Sequence, residues 1–333
     1  MEKLEQLLAS IIDAHSIRIH VIESRAKTVE SFREKITKGG SKYPDPFKDL
    51  PDLCGCRVIT YYGDEVETIS DIIKAEFDVI EEELSHQPKE LEADRFGYIS
   101  AHYVVKLRAD RSCLVEWASF KDLHAEIQIR TVIQHAWSAI SHALQYKQET
   151  GIPSNLQRRL YRIAGLFELA DEEFVGIRNQ RAALQQAAAD ALAKGNKSIP
   201  LSSASITELL NTWELMPAIL AAGQEAGFSY VFDDDDEDDD TIPQIYKFAE
   251  GVGLTTVEQL TTALTPPPVE FFTKLIETMG GNWTASPGFL LVLLIVARFI
   301  DDFEADDLTD WGWSPEIAKG VIETAQELKS ASA

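Results

Sequence analysis

The chain is poor in cysteine. Three among 333 residues, Cys54, Cys56 and Cys113, form an odd and sparse set that excludes a disulfide scaffold and suits a reducing cytoplasm. Cys54 and Cys56 can share one face of a strand, but no second pair completes a zinc site, so they read as core thiols. Long apolar runs are lacking too. The longest, FLLVLLIVA from Phe289 to Ala297, is far short of the ~20 residues that span a bilayer and reads as a buried helix. The opening stretch MEKLEQLLASIIDAH mixes acids with apolar residues, which marks an amphipathic helix and not a signal peptide. Positive charge is scarce: 31 Lys and Arg against 55 Asp and Glu leave a net charge of −24. Such a chain repels nucleic-acid backbones and is no general DNA or RNA binder. The familiar phosphate loops, Gly-x-x-x-x-Gly-Lys-Ser/Thr and Gly-x-Gly-x-x-Gly, are absent. Ser100 lacks the second glycine of a nucleophile elbow. His135 and His142 stand seven apart, not the four of a helical zinc pair. The acids around Asp301–Asp307 lack the glycine and spacing of a calcium loop.

What is there centres on AEIQIRTVIQHAWSAISHALQYK, Ala125 to Lys147. Glu126, Gln128 and Arg130 alternate with Ile127 and Ile129, which predicts a strand with one polar face. Thr131 breaks the alternation and can cap a helix. Beyond it, His135, Ser138, His142 and Tyr146 fall near one helical stripe, and Ile133, Trp137, Ile140 and Leu144 on another. A strand carrying a carboxylate, an amide and a guanidinium can build a site for a charged ligand. It can equally be an amphipathic strand with solvated polar groups.

Upstream, residues 2–22 read as a helix with Leu4, Leu7, Leu8, Ile11 and Ile12 on its apolar face. A second helix is expected to begin near Arg25 and to align Lys27, Ser31 and Lys35 at i, i+4, i+8, a row of donors for phosphates or an ordinary basic face. Gly39–Phe47 is a loop. Strands are expected over 53–61, 77–84, 97–107 and from Ala125, with a helix over 64–75 and a polar loop over 85–96. Asp52 precedes the first of these strands, and Gly55 within it permits close backbone approach. Arg57 lies on the same strand. Tyr98, Ser100 and His102 share a face of the third. Four strands with one helical connection predict an α/β domain with a mixed or largely antiparallel sheet. Residues 154–194 read as helix, and Lys194–Ser205 as a linker. Helices follow over 206–226, 242–250, 256–264, 268–279, 288–303 and 314–329. Asp233–Asp240 is a run of acids that should repel itself.

One basic segment, two carboxylates on separate strands, Asp52 and Glu126, and polar groups on a third make a different kind of phosphate site. Paired carboxylates can hold Mg²⁺, which keeps substrate phosphates in its shell, while Lys and Arg neutralise charge on the transferring group. SRAKTVES, DLCGCRV, GYISAH and EIQIRTVIQHAWSAISHALQYK, in this order and spacing, resemble the synthetase domain of the RelA/SpoT family over roughly residues 1–190. The resemblance implies a nucleotidyltransferase-like mixed β-sheet flanked by helices, in the manner of a small alarmone synthetase with an added C-terminal region. It implies transfer of pyrophosphate from ATP to the 3′-hydroxyl of GTP or GDP. It places the adenine of ATP between Arg25 and Arg57, its phosphates on Lys27, Ser31 and Lys35, and Mg²⁺ on Asp52 and Glu126. Glu126 would also activate the acceptor hydroxyl. Tyr98 would stack on the acceptor guanine, and His102 would lie near its phosphates. Gln128, Arg130 and His135 would line the acceptor side.

Two departures fall on that side: Ile99 follows the tyrosine where a polar residue is usual, and the lysine that usually precedes it closely is replaced by Lys89 or Arg95 at a longer interval. A toxin-like relative acting on tRNA 3′ ends or adenine nucleotides therefore stands as the alternative. Residues 1–200 are net −5, with local basic patches at 35–42 and 157–162.

The expected domains are 1–195, the synthetase, and 205–333, an all-helical domain. Residues 201–333 carry 24 acids and 5 bases, net −19. Tied to a site that must attract triphosphates, they are expected to dock on the synthetase and restrain it. A homo-oligomer is compatible with the sequence.

Overall fold

The computed structural model describes residues 1–39, 44–50, 52–85, 100–145, 154–230, 241–281 and 283–332. Its contacts divide the chain into two units, Met1–Arg178 and Asn179–Ala333.

The first unit begins with α1 (Glu2–Ala14), β1 (Ile19–Ala26), α2 (Val29–Gly39) and α3 (Pro46–Asp49). Next come β2 (Cys54–Thr60), α4 (Gly63–Glu76), β3 (Phe77–Ser85) and β4 (Ser100–Leu107). The short α5 (Ala109–Ser112), β5 (Ala125–Thr131), α6 (Val132–Gln145) and α7 (Ser154–Ala193) complete the series, the last running past Arg178. The sheet has the order β1-β2-β5-β4-β3, with β2 and β5 parallel and every other pair antiparallel. It is therefore mixed, and α4, β3 and β4 separate its two parallel strands in sequence.

Side-chain alternation explains its two faces. Cys56, Val58, Ala101, Tyr103, Val105, Ile127 and Ile129 form a buried core with Leu8, Ile11 and Ile12 of α1 and Val66, Ile69, Ile72 and Ile73 of α4. The opposite face is polar. One row across the strands reads Glu23, Arg57, Gln128, His102, and the next reads Arg25, Gly55, Glu126.

The chain from Ile19 to Ala26 departs from expectation. It is an edge strand, not the end of one helix and the start of another. The first helix stops at Ala14 because the chain turns back on itself. Ile17 N donates to Ile12 O and Ser16 N to Asp13 O, with Ser16 left-handed at φ 53°. That is a Schellman ending with serine where glycine is usual. Arg25 therefore lies on a strand, and Lys27 in the turn after it. Only Ser31 and Lys35 of the expected helical row are on α2.

At the β5–α6 junction the expected cap is present: Thr131 Oγ1 accepts from Gln134 N at 3.0 Å, and Gln134 Oε1 accepts from Thr131 N at 2.9 Å. The reciprocal bonds hold the strand end and helix start as one unit.

The second unit contains α8 (Ser203–Thr212), α9 (Met216–Ala226), β6 (Phe228–Tyr230), α10 (Thr241–Gly251), α11 (Val257–Ala263) and α12 (Glu270–Met279). β7 (Trp283–Ala285), α13 (Pro287–Arg298), α14 (Ala305–Thr309) and α15 (Pro315–Ser332) follow. The single helix expected over 206–226 is two, broken at Trp213–Leu215, with Pro217 in the first turn of α9. The apolar run is α13, buried from Leu290 to Val296 and capped by Ser286 Oγ, which accepts from Phe289 N at 3.1 Å. β6 and β7 form a short parallel pair that the sequence did not announce. No helix among the described residues is long and apolar enough to cross a membrane.

Candidate active site

The polar face of the sheet opens into a cavity of about 540 Å³ lined by Arg25, Asp52, Gly55, Arg57, Glu126 and Gln128, with Glu5, Glu23 and Ser24 at its edge. Three strands and the segment before β2 thus bring together six residues scattered over a hundred positions of sequence. Gly55 lies between Arg25 and Glu126 in the register. A Cβ there would meet only ordinary contacts, 3.8 Å to Arg25 O and 3.9 Å to Glu126 O. Strand pairing alone does not demand the glycine. Its missing side chain leaves the cavity floor open between a guanidinium and a carboxylate.

Asp52 is held by two ammonium groups. Lys27 Nζ donates to its Oδ2 at 2.5 Å and Lys35 Nζ to the same atom at 2.8 Å. Burial raises the Asp52 pKa, but the two lysines outweigh it and hold the carboxyl below its usual range. Lys27 reaches it because its own N–H is tied to Leu53 O at 3.1 Å. Asp52 Oδ1 is buried with no hydrogen-bond partner among the described residues. An anionic oxygen left open beside a second carboxylate fits a hard divalent cation. Among the described residues no group of three His, Cys, Asp or Glu surrounds such a position. A pair of carboxylates suits an ion that takes the rest of its shell from water and phosphate.

Glu126 is the other carboxylate. Its Oε1 lies 3.4 Å from His102 Nδ1. That contact lowers the Glu126 pKa more than burial raises it, with Gln128 adding to the lowering and Asp52 opposing it. Glu126 is thus an anion at neutral pH. The other imidazole nitrogen, His102 Nε2, is 2.9 Å from Ser100 Oγ and 3.4 Å from Arg130 Nη2. A guanidinium only donates, so the contact with Arg130 assigns Nε2 the acceptor role and leaves Nδ1–H to face Glu126.

Gln128 joins the two ends of the site. Its Oε1 accepts from Arg130 Nη2 at 2.7 Å and, more weakly, from Arg57 Nε at 3.4 Å. Arg57 is steadied from the other side by Glu23 Oε2 at 3.0 Å. Arg130 Nη1 donates to Ser138 Oγ at 2.9 Å. Burial, with repulsion from Arg57, lowers the Arg130 pKa to about 10, which leaves it charged at neutral pH.

Of the expected residues outside the cavity lining, Lys27, Lys35, His102 and Arg130 each contact a residue that lines it, and Ser31 and His135 stand further apart. Ser31 belongs to the start of α2: its Oγ accepts from Thr28 Oγ1 at 3.0 Å and its N–H donates to Thr28 Oγ1 at 3.2 Å. His135 lies on the first turn of α6 with Nδ1 buried and unpartnered among the described residues. Tyr98 lies outside the described residues, as do Lys89, Arg95 and Ile99. Glu23 and Ser138, which fix the two arginines, are not among the expected site residues. Glu23 is two positions before Arg25, a spacing that shares a face only once 19–26 is read as a strand.

Residues 24–151 match the family model described as the region found in RelA/SpoT proteins. This segment is a RelA/SpoT-type domain. Two proteins of Bacillus subtilis (strain 168) are similar to the chain. GTP pyrophosphokinase YjbM is 28% identical over 170 residues, covering 50% of this chain and 75% of its own. GTP pyrophosphokinase YwaC is 25% identical over 176 residues, covering 51% and 79%. Among solved structures, small alarmone synthetase 1 from Bacillus subtilis bound to its product pppGpp is 26% identical, covering 54% of this chain and 91% of its own, with a TM-score of 0.44. A GTP pyrophosphokinase family protein from Streptococcus pneumoniae is 29% identical, covering 54% and 87%, with a TM-score of 0.45.

Proposed function

We propose that this protein is a GTP pyrophosphokinase that moves the β,γ-pyrophosphoryl group of ATP to the 3′-hydroxyl of GTP or GDP, making (p)ppGpp. The observation that carries this reading is the convergence of Asp52 and Glu126 on one cavity with Arg25 and Arg57. The curated relatives bear this activity in their names.

In this reading the acceptor's 3′-oxygen forms a bond to the β-phosphorus of ATP. The bond from that phosphorus to the α,β-bridging oxygen breaks, and AMP leaves. Glu126 takes the hydroxyl proton, held ready by His102 and kept anionic at neutral pH. Arg25 and Arg57 flank the adenine, Glu23 fixing the plane of the second. Lys27 and Lys35 turn from Asp52 to the donor phosphates, with Ser31 nearby on α2. Asp52 and Glu126 would hold Mg²⁺, which would supply charge neutralisation at the phosphate oxygens. Gln128, Arg130, His102 and His135 face the acceptor.

Label transfer from [β-³²P]ATP tests this reading. GTP and GDP are expected to become labelled, and AMP and tRNA not. Label on tRNA or on an adenine nucleotide alone would overturn the guanosine reading and favour the toxin-like alternative. No transfer to any acceptor would overturn the enzymatic reading.

Tyr98→Ala is expected to weaken acceptor binding by about 5- to 150-fold and to spare ATP, since a stacked base is worth roughly 1–3 kcal/mol. Titrations with GDP and with a non-hydrolysable ATP analogue check this. A loss confined to the ATP analogue would exchange the two sides of the site.

Residues 201–333, net −19, are proposed to restrain the reaction through their charge. Truncation after Ser198 is expected to raise turnover at low salt, with the difference shrinking as salt screens it. Equal turnover of the full chain and a folded truncation at low salt would sink this reading.

A further inference from the structure

A second cavity lies on the other face of the sheet, at the end where β2 and β5 begin. It measures about 230 Å³. Its walls are apolar: Leu4, Leu50, Leu53, Phe77, Val105 and Leu107, closed on one side by Trp117 and Phe120 with ring centroids 6.1 Å apart. Phe47 and Leu123 on its wall are exposed, so part of this apolar lining faces solvent.

The polar side chains at this cavity are Lys3, His124 and Cys54, and no Asp or Glu is among the described residues that line it. Lys106 also borders it, but strand alternation with Val105 and Leu107 turns its side chain to the other face. In a chain of net charge −24 a lining without a carboxylate is out of character. His124 Nε2 is buried with no hydrogen-bond partner among the described residues. A buried polar atom without a partner is costly and marks the place of a missing one. Among the described residues Lys3 Nζ meets a backbone carbonyl, Glu116 O at 3.3 Å, and the rings of Trp117 and Phe120 at 5.8 and 5.3 Å. It has no carboxylate among these contacts.

We propose that this cavity binds a small apolar molecule carrying one carboxylate, an acyl or aryl acid. The apolar body fills the space between Leu50, Phe77 and Trp117. The carboxylate accepts from the nitrogen groups at the wall, Lys3 and His124. The volume falls short of the ~300–1,000 Å³ of pockets for drug-sized ligands, which limits the body to a short chain or a single ring system.

The cavity is placed to affect the site on the opposite face. Leu53 and Cys54 directly follow Asp52, and Ala125 directly precedes Glu126, and all three line it. A molecule that fills the cavity braces the two strand starts carrying both carboxylates. This regulatory half rests on the proposed transfer reaction; binding itself does not.

Calorimetric titration of the full chain with octanoate, 3-phenylpropionate and octanol tests binding, and separates the two sources of the carboxylate. At least one of the two acids is expected to saturate a single site with a dissociation constant at or below about 1 mM. Octanol is expected to bind at least about tenfold more weakly. The Lys3→Glu variant reverses one exposed charge and is expected to lose about tenfold or more for the acid while keeping octanol binding. No saturation by either acid, or equal affinity of the variant for it, would overturn the proposal. Turnover with the bound acid at saturation is expected to change by about twofold or more. Unchanged turnover with binding intact would overturn the regulatory half, and a protein inactive on every acceptor would still report on binding.

Discussion

Glu126→Gln is expected to lower pyrophosphoryl transfer by at least ~10²-fold while leaving the fold intact, the scale seen when one preorganised electrostatic contact is removed from a transition state. The substitution keeps shape and a carbonyl oxygen that can still accept from His102 Nδ1. It removes one negative charge from a pair of carboxylates, and the base that adjoins that imidazole. The effect should therefore appear in turnover far more than in melting temperature, because the Glu126 side chain is still a quarter exposed. Label transfer from ATP under saturating substrates is the measurement, with circular dichroism as the check on folding. Wild-type turnover by a folded Glu126→Gln protein would remove Glu126 from the reaction. The pH profile adds an independent reading. His102 depresses the Glu126 pKa below 4.5, so the proton-accepting form is present above that value and is lost only as pH falls through the lowered pKa. A limb of the rate profile centred near neutrality would belong to another group.

The polar strand β5 was legible because nothing competes with it. Glu126, Gln128 and Arg130 alternate with isoleucines that have no other way to be buried, and Thr131 and Gln134 announce the helix that follows. The helix α13 was equally plain, since FLLVLLIVA has no polar residue to expose. β1 was hidden by its neighbour. Leu and Ile recur through α1 and continue as Ile17, Ile19 and Ile22, a spacing that serves helix or strand over so short a stretch. The signal that ends α1 is the left-handed Ser16, and serine at such a position carries no warning. The consequence is local: a helical reading puts Arg25 and Lys27 on a helix and leaves Glu23, which fixes Arg57, off their face. The ion pairs of Asp52 lay beyond any periodicity. They depend on a turn that brings Lys27 over the start of β2, a contact between segments 25 residues apart.

Asp52→Asn is expected to lower transfer by ~10²-fold or more and also to destabilise the protein at neutral pH. The two effects have separate origins. Transfer falls because the carboxylate pair loses a charge where cation and phosphates meet. Stability falls because Lys27, whose side chain is only 10% exposed, keeps its charge while its partner becomes neutral. Lys35, at 35% exposed, is better solvated and loses less. The linkage has a definite sign. The folded Asp52 pKa lies below its ordinary value of 3.8, so its contribution is fully present above that value and fades as pH falls through the folded pKa. The melting-temperature gap between wild type and Asp52→Asn should therefore be widest at neutral pH and narrow on acidification below about pH 4. Lys27→Met in the Asp52→Asn background removes the stranded charge. It should recover part of the melting temperature and none of the transfer. Recovery of both would make Asp52 a structural anchor for Lys27 and would leave Glu126 as the sole carboxylate of the reaction.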